Sequence, residues 1–214
     1  MVGFRGGERV LDLGCGLGGP SRFLASRYAC VVSGIDLTPE FVTIAAELAR
    51  LTRLEDKVQY SQGDALALPF DAETFDVVWS QNVAMNIADR DGLYSQIHMV
   101  LRPGGKYAFS DVVSGPEGEP HYPLPWARDA ALSHLLSAEA TRAALLSAGF
   151  AVRAWDDATE GSASAAFERV GQPPPPLGIH VLFGDDWPAV SANMLRNYRE
   201  KRIGVLLGVV ERLP

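Results

Sequence analysis

Residues 10–20 read VLDLGCGLGGP: a short apolar run with an acid at Asp12, then Gly14, Gly16, Gly18 and Gly19. The apolar residues read as a buried strand that ends at a sharp turn. Glycine admits positive φ and leaves the backbone bare for a ligand, so this cluster marks a turn built for close approach. Ser21 to Arg27 reads as the start of a helix. A strand, a glycine turn and a helix together make a nucleotide-type cradle. Gly14, Gly16 and Gly19 also satisfy G-x-G-x-x-G, the dinucleotide fingerprint, so the glycines alone leave the ligand class open.

Outward from this turn, strand-like and helix-like segments alternate. Val10–Leu13 is the first strand and Pro20–Tyr28 its helix. Cys30–Ile35 is the second strand, ending at Asp36. Thr38 stands as an N-cap, with Pro39 at the first helical position and Glu40 in the first turn. That helix runs to about Leu51, with Phe41, Ile44, Ala45 and Leu48 at helical spacing. Val58–Gln62 and Phe75–Ser80 read as strands. Gly92–Leu101 reads as a helix stopped by Pro103-Gly104-Gly105. Lys106–Asp111 begins a fifth strand. The second half is less regular. Ser114–Pro125 is a Gly- and Pro-rich loop, Trp126–Leu136 has helical character, and Ser137 caps a helix that ends at Gly149. Phe150–Trp155 is a sixth strand. Pro173 to Pro176 read as a stiff surface connection, since proline suits neither helix interior nor central strand. Trp187–Arg202 is a helix and Ile203–Glu211 a last strand. The alternation predicts an α/β fold with a parallel sheet covered on both faces.

With 214 residues the chain suits a single domain with one core. No apolar run is long enough to span a bilayer, and no basic stretch precedes an apolar one at the N-terminus. Cys15 and Cys30 have no metal-ligand spacing, so no metal is expected, and a reduced, cytoplasmic setting fits them. The net charge of −7 argues against a nucleic-acid partner, which needs a basic face. It suits a neutral or cationic small molecule.

Asp12 with the glycines behind it, acid-x-Gly-x-Gly-x-Gly, resembles the first motif of the class I S-adenosylmethionine-dependent methyltransferases. The likeness continues in order along residues 10–111. Asp36 follows Gly16 by 20 residues, where a carboxylate accepts both ribose hydroxyls; this acid suits a nicotinamide dinucleotide equally well. Leu37 would pack on the adenine. Gln62-Gly63-Asp64-Ala65 follows the third strand, where the resemblance implies that Asp64 accepts the adenine amino group and the next backbone N–H binds a ring nitrogen. The strand FDVVWSQN ends at Gln81 and Asn82, at the mouth of the sheet. Leu101-Arg-Pro-Gly-Gly-Lys106 is also typical of the family and reads as a structural turn. The resemblance implies a Rossmann-like, seven-stranded, mostly parallel sheet with helices on both faces and the last strand antiparallel. It places cofactor contacts at Asp12, Gly14, Cys15, Gly16, Gly18, Gly19, Asp36, Leu37, Gly63, Asp64, Ala65 and Gln81. Residues 1–112 would form the cofactor core and 113–202 would include the segments that cap the substrate.

A narrower likeness is to the methyltransferase type 11 group that includes the sarcosine, dimethylglycine and phosphoethanolamine N-methyltransferases. It is carried by LGGPSRFLA and VVWSQNVAMNIADRD. Those proteins usually carry an acid where this chain has Asn82, and often a His where it has Asn86. An amine acceptor is the leading expectation, with O- or C-methylation of a natural product or quinone as the alternative. A nicotinamide oxidoreductase and a non-catalytic cofactor-binding module are kept beside them. Asp111, at the end of the fifth strand, is the first candidate to orient the acceptor or take its proton, with Asn82 as a neutral acceptor. His121 and His134 follow. Trp79, Met85, Tyr122 and Trp126 are candidates for an apolar or cation-binding wall. The first motif begins nine residues into the chain, where the resemblance leads one to expect preceding cap helices. Either the chain starts late or the cap comes from elsewhere, from residues 114–136 or from a partner such as a second copy in a homodimer; an open cofactor pocket is expected.

Overall fold

The computed structural model describes residues 2–172 and 175–213. In chain order the elements are β1 (Arg9–Leu13), α1 (Gly19–Tyr28), β2 (Val31–Asp36), α2 (Pro39–Leu51), β3 (Val58–Gln62), β4 (Phe75–Gln81) and α3 (Arg90–Val100). There follow β5 (Leu101–Ser114), α4 (Ala138–Ser147), β6 (Phe150–Asp157), α5 (Thr159–Glu168), α6 (His180–Phe183), α7 (Trp187–Arg199) and β7 (Ile203–Arg212). The strands form one sheet in the order β3-β2-β1-β4-β5-β7-β6. The β1–β2, β1–β4, β2–β3 and β4–β5 pairs are parallel, and β7 runs antiparallel to both β5 and β6. This is the sheet the sequence leads one to expect, last strand included.

Alternation along the strands explains why both faces carry helices. Val10 and Val77 point to one face, where they pack with Leu24, Ala25, Val32 and Val58. Their neighbours Leu11 and Val78 point to the other, where Leu93, Ile97, Tyr107, Leu145 and Phe150 build the larger core. Burying a side chain such as Leu11 or Ile97 contributes about 1.5–3 kcal/mol. The connections run outward from β1 in both directions, through β2 to β3 and through β4 to β5. The strand order therefore reverses at β1/β4, and in open α/β sheets the carboxyl ends of the strands at such a switch point are where ligands bind.

Several local expectations change. Trp126–Leu136 forms no helix beyond one 3-10 turn at Ala130–Leu132. Leu124 and Ala127 close a tight turn on each other. The His134 N–H and the Leu136 carbonyl then pair with Met85 and Ser114 instead of within a helix. Helix α5 has no signature in the sequence because TEGSASAAFE has no apolar stripe, and none of its residues is buried. Helix α2 buries Ala45 and Ala49, while Ile44 is exposed. Thr38 occupies the N-cap position of α2, but its side chain makes no capping bond. Helix α3 starts earlier than expected, at Arg90, because the Asp89 side chain accepts the Gly92 N–H at 2.8 Å. Residues 102–105 are an excursion inside β5: the pairing with β4 jumps from Phe75↔Leu101 to Val77↔Lys106. Of the four prolines that read as a surface connection, Pro173 and Pro174 lie outside the described residues; Pro175 and Pro176 are in irregular backbone.

Candidate active site

The glycine loop lies at the β1/β4 switch point. Gly14 and Cys15 both donate their N–H groups to the Ile35 carbonyl, at 2.8 and 3.0 Å, which pins the loop to the end of β2. Gly14, Gly16 and Gly18 take positive φ of 69°, 51° and 71°. The four glycines answer to different demands. A Cβ on Gly14 would run into Val83, and one on Gly18 into the Tyr60 hydroxyl. Around Gly16 and Gly19 a Cβ would meet nothing within 4 Å. Two glycines are thus required by the protein's own packing, and two face open space.

Asp36 ties three elements together. Its Oδ2 accepts the Gly16 N–H at 2.8 Å and its Oδ1 accepts the Thr38 N–H at 3.0 Å. Its carbonyl accepts the Gly63 N–H at 3.0 Å. Each carboxylate oxygen keeps a lone pair for a further donor. Next to it Leu37 is 68% exposed, a large apolar side chain bare at the mouth, so the structure gives it no core role. Asp64 is exposed and turns one oxygen to the Leu66 N–H at 2.9 Å. Ala65 is half-buried against the main core.

Asp12 is placed more deeply than an acid facing a ligand. It is 2% exposed and accepts the Ser21 hydroxyl proton, joining β1 to α1. Burial pushes its carboxyl up to about 6, the nearby Asp36 charge adds to this, and the Ser21 bonds oppose it. Tyr60 is a site residue that sequence reasoning misses. Its hydroxyl donates to the Gly18 carbonyl at 3.1 Å, and its ring fills the space beside Gly18 and Gly34. The bare Gly34 opposite it on β2 is the available signal, legible only once the register is known.

At the other lip, Gln81 and Asn82 end β4 with exposed side chains, and Asn82 has φ 57°. Asn86 turns its amide back to the carbonyls of Asn82 and Val83, both at 3.1 Å. Asp111 differs from the expected acceptor-facing acid. It is 5% exposed, and its Oδ1 accepts the N–H groups of Val83 at 2.9 Å and Ala84 at 3.2 Å. Burial pushes its carboxyl above the usual range, against those N–H groups and Arg90. His121 is drawn elsewhere. Its ring pairs with Glu200 at 2.7 Å, and its backbone is bonded on both sides by the buried Asn197, so it fastens the loop after β5 to α7. Arg196, His121 and Arg202 hold the Glu200 carboxyl down at about 2. Met85, Val112 and Ile203 form a small cluster against which Trp126, Leu135, Met194 and Tyr198 pack, so Met85 and Trp126 act in packing. Trp79 packs on the α1 face; its indole N–H is buried with no partner among the described residues. Tyr122 is half-buried in the loop after β5. Among the described residues no group of three His, Cys, Asp or Glu could hold a metal ion, and no helix is long and apolar enough to cross a membrane.

Residues 11–109, from the end of β1 into β5, match the family described as a methyltransferase domain. Just under half of the chain therefore matches a methyltransferase domain. The matched stretch holds the glycine loop, Asp36, Asp64 and all of β4, and it stops short of Asp111. This stretch decides between the two ligand classes that the glycines left open. The chain is 40% identical to the erythromycin 3''-O-methyltransferase of Saccharopolyspora erythraea over 113 residues, covering 52% of this chain and 37% of that protein. It is 40% identical to phosphoethanolamine N-methyltransferase 2 of Caenorhabditis elegans over 104 residues, 48% of this chain and 23% of that protein. The match spans less than two fifths of either relative's own length. Among solved structures, the geranyl diphosphate C-methyltransferase of Streptomyces coelicolor A3(2) has the same fold, with a TM-score of 0.81 at 21% identity over 99% of this chain and 76% of that one. The three names cover oxygen, nitrogen and carbon acceptors, so methyltransferase domains of this fold do not by themselves fix the acceptor atom.

Proposed function

We propose that this domain transfers a methyl group from S-adenosylmethionine to a small molecule, and that the acceptor is an amine. The observation that carries the cofactor half is the open floor at Gly16 and Gly19 beside the Asp36 carboxylate and the bare Leu37, with Asp64 one strand further out, after β3. These residues fit the cofactor's parts. The free lone pairs of Asp36 suit two ribose hydroxyls. The second oxygen of Asp64 suits an exocyclic amino group, the Ala65 N–H a ring nitrogen, and Leu37 an adenine face. The backbone of Gly14, Cys15, Gly16, Gly18 and Gly19 lines the amino-acid end, with Gln81 on the opposite lip. Asp12 supports this floor from beneath through Ser21.

When bound, S-adenosylmethionine supplies a methyl group on a sulfonium, an electrophile that needs no further activation. The protein's task is then to hold the acceptor in line and to exclude water. Gln81 and Asn82 offer neutral polar side chains at the lip, and the loop after β5 with α7 covers the carboxyl ends of β4 and β5. The amine reading rests on the side chains at this lip. Asn82 and Asn86 are not bases, Asp111 is engaged by backbone N–H groups, and the ring of His121 is engaged by Glu200. A neutral amine is nucleophilic enough to attack without a base, and the ammonium formed sheds its proton to solvent afterwards; a hydroxyl, a weaker nucleophile, or an acidic carbon needs its proton removed first. The same side chains favour a second reading, a module that binds the cofactor without turning it over.

Calorimetric titration with S-adenosylhomocysteine, with NADH in parallel, tests the first half. Binding of the former alone is expected; NADH binding overturns it. A screen of small amines against phenols and hydroxy acids, read by S-adenosylhomocysteine release, tests the second. Turnover confined to phenols would reverse the amine assignment, and turnover on none would select the binding module.

A further inference from the structure

The turn that follows β4 is held on three sides. Beneath it, one oxygen of the buried Asp111 satisfies two backbone donors, Val83 and Ala84, that start the turn. Toward the cofactor floor, the Val83 methyls lie against the bare α-carbon of Gly14, leaving no room there for a Cβ. Toward the acceptor side, the Met85 carbonyl accepts the His134 N–H at 2.9 Å. Arg90, itself 9% exposed, donates from Nη2 to the His134 carbonyl at 2.8 Å. The peptide groups of His134 are therefore stitched to both ends of the 84–90 stretch. Asp111 and Arg90 also act on each other as opposite charges. Without an acceptor the buried Ala84 N–H, and to a lesser degree the part-buried Val83 N–H, would carry a desolvation cost, so the turn depends on Asp111 for its shape.

We propose that Asp111 is a positioning residue: by fixing the Asn82–Asn86 turn it sets, through Val83, the wall of the glycine loop and, through Met85 and His134, the seat of the 126–136 loop. The cofactor floor and the acceptor side are thereby held in one register by a carboxylate that transfers no proton. For its ligand readout the proposal rests on the cofactor reading above. It predicts a specific pattern between variants. Asp111→Asn keeps an acceptor oxygen of the same reach and loses basicity. Asp111→Ala loses the acceptor.

The experiment pairs calorimetric titration with S-adenosylhomocysteine and amide hydrogen exchange of the ligand-free protein. Asp111→Asn is expected within threefold of the parent in affinity, with unchanged exchange across 126–136. Asp111→Ala is expected to weaken affinity at least tenfold and to speed exchange of the 126–136 amides at least tenfold. Val83→Ala, which leaves Asp111 in place, is expected to weaken affinity about fivefold without touching that exchange. Adding Asp111→Ala to Val83→Ala should then cost less than it does in the parent, because both act through one contact. Should Asp111→Ala fail to fold, the Asp111→Asn and Val83→Ala results decide alone. Parent-like affinity and exchange in Asp111→Ala would overturn the proposal, as would parent-like affinity in Val83→Ala. So would an Asp111→Asn protein that binds normally yet loses all turnover on an acceptor found in the screen, the mark of proton transfer. If the parent does not bind S-adenosylhomocysteine, the cofactor reading fails, while the exchange comparison still decides whether Asp111 seats the 126–136 loop.

Discussion

Asp36 holds Gly16 at 2.8 Å from across 20 residues of chain. The carboxylate proposed to meet the ribose is therefore also the group that shapes the floor beneath it. Removing it should cost twice, once in ligand hydrogen bonds and once in loop order. Asp36→Ala is expected to weaken S-adenosylhomocysteine binding about 30- to 100-fold, or about 2–3 kcal/mol, and Asp36→Asn, which keeps one acceptor oxygen, about tenfold. Calorimetric titration reads both, and an Asp36→Ala protein that binds like the parent would falsify the assignment.

The glycines divide into packing and ligand positions, and substitution should separate them. Gly18→Ala meets the Tyr60 hydroxyl at a positive φ and should cost about 1–3 kcal/mol of folding stability. Gly19→Ala enters open space at the start of α1 and should leave stability within about 1 kcal/mol. Its methyl stands where the ligand is proposed to lie, so affinity should fall roughly tenfold all the same, at about 1.4 kcal/mol per decade. Thermal melts beside titrations decide; equal effects of the two changes on both readouts would refute the division.

Asp64 and Leu37 are assigned to the adenine end, and that assignment implies base selectivity. Asp64→Ala should weaken binding roughly tenfold, a hydrogen bond to a charged acceptor being worth about 1.5–3 kcal/mol, and should narrow the preference for adenine over an inosine analogue lacking the amino group. Leu37→Ala should weaken both analogues alike, by about threefold to tenfold, through lost apolar contact. Competition binding with the two analogues separates them.

Asp12 ties stability to pH. Its carboxyl is raised from 3.8 to about 6, so the folded state holds this proton more tightly than the unfolded chain does. The contribution is fully present below about pH 4 and is lost as pH rises through about 6. At about 1.4 kcal/mol per tenfold gain in proton affinity, the change is worth about 3 kcal/mol. Asp12→Asn removes the ionisation and keeps an acceptor for Ser21. Its melting temperature relative to the parent should rise between pH 4 and pH 7 and then level off. A difference that stays flat over that range would show an ordinary carboxylate.

The strands are legible in the sequence because their residues repeat a simple constraint. Val10-Leu11 and Val77-Val78 are apolar on both faces, and both faces are covered. The glycine loop is legible because Gly14, Gly16 and Gly18 meet a backbone requirement that few other residues satisfy. Where burial is shallow, the pattern fails: α5 buries nothing, and its sequence carries no stripe to read. Asp111 shows a different limit. Its place at the end of a strand is written in the sequence, but the direction of its carboxylate is set by the Val83 and Ala84 N–H groups, 28 and 27 residues away in sequence. His121 is likewise visible as a titratable group, while Glu200, 79 positions on, decides what its ring does.

The position of β7 bears on how the protein is made. It is translated after the other six strands of this sheet, yet it sits between β5 and β6 and, among the described residues, is the only strand that β6 pairs with. Until residues 203–212 leave the ribosome, the flank of β5 presents an unsatisfied row of backbone groups, and β6 has nowhere to dock. Nascent chains held just short of this strand are templates for intermolecular pairing, so synthesis of β7 is the step that converts a sticky five-stranded intermediate into the seven-stranded sheet.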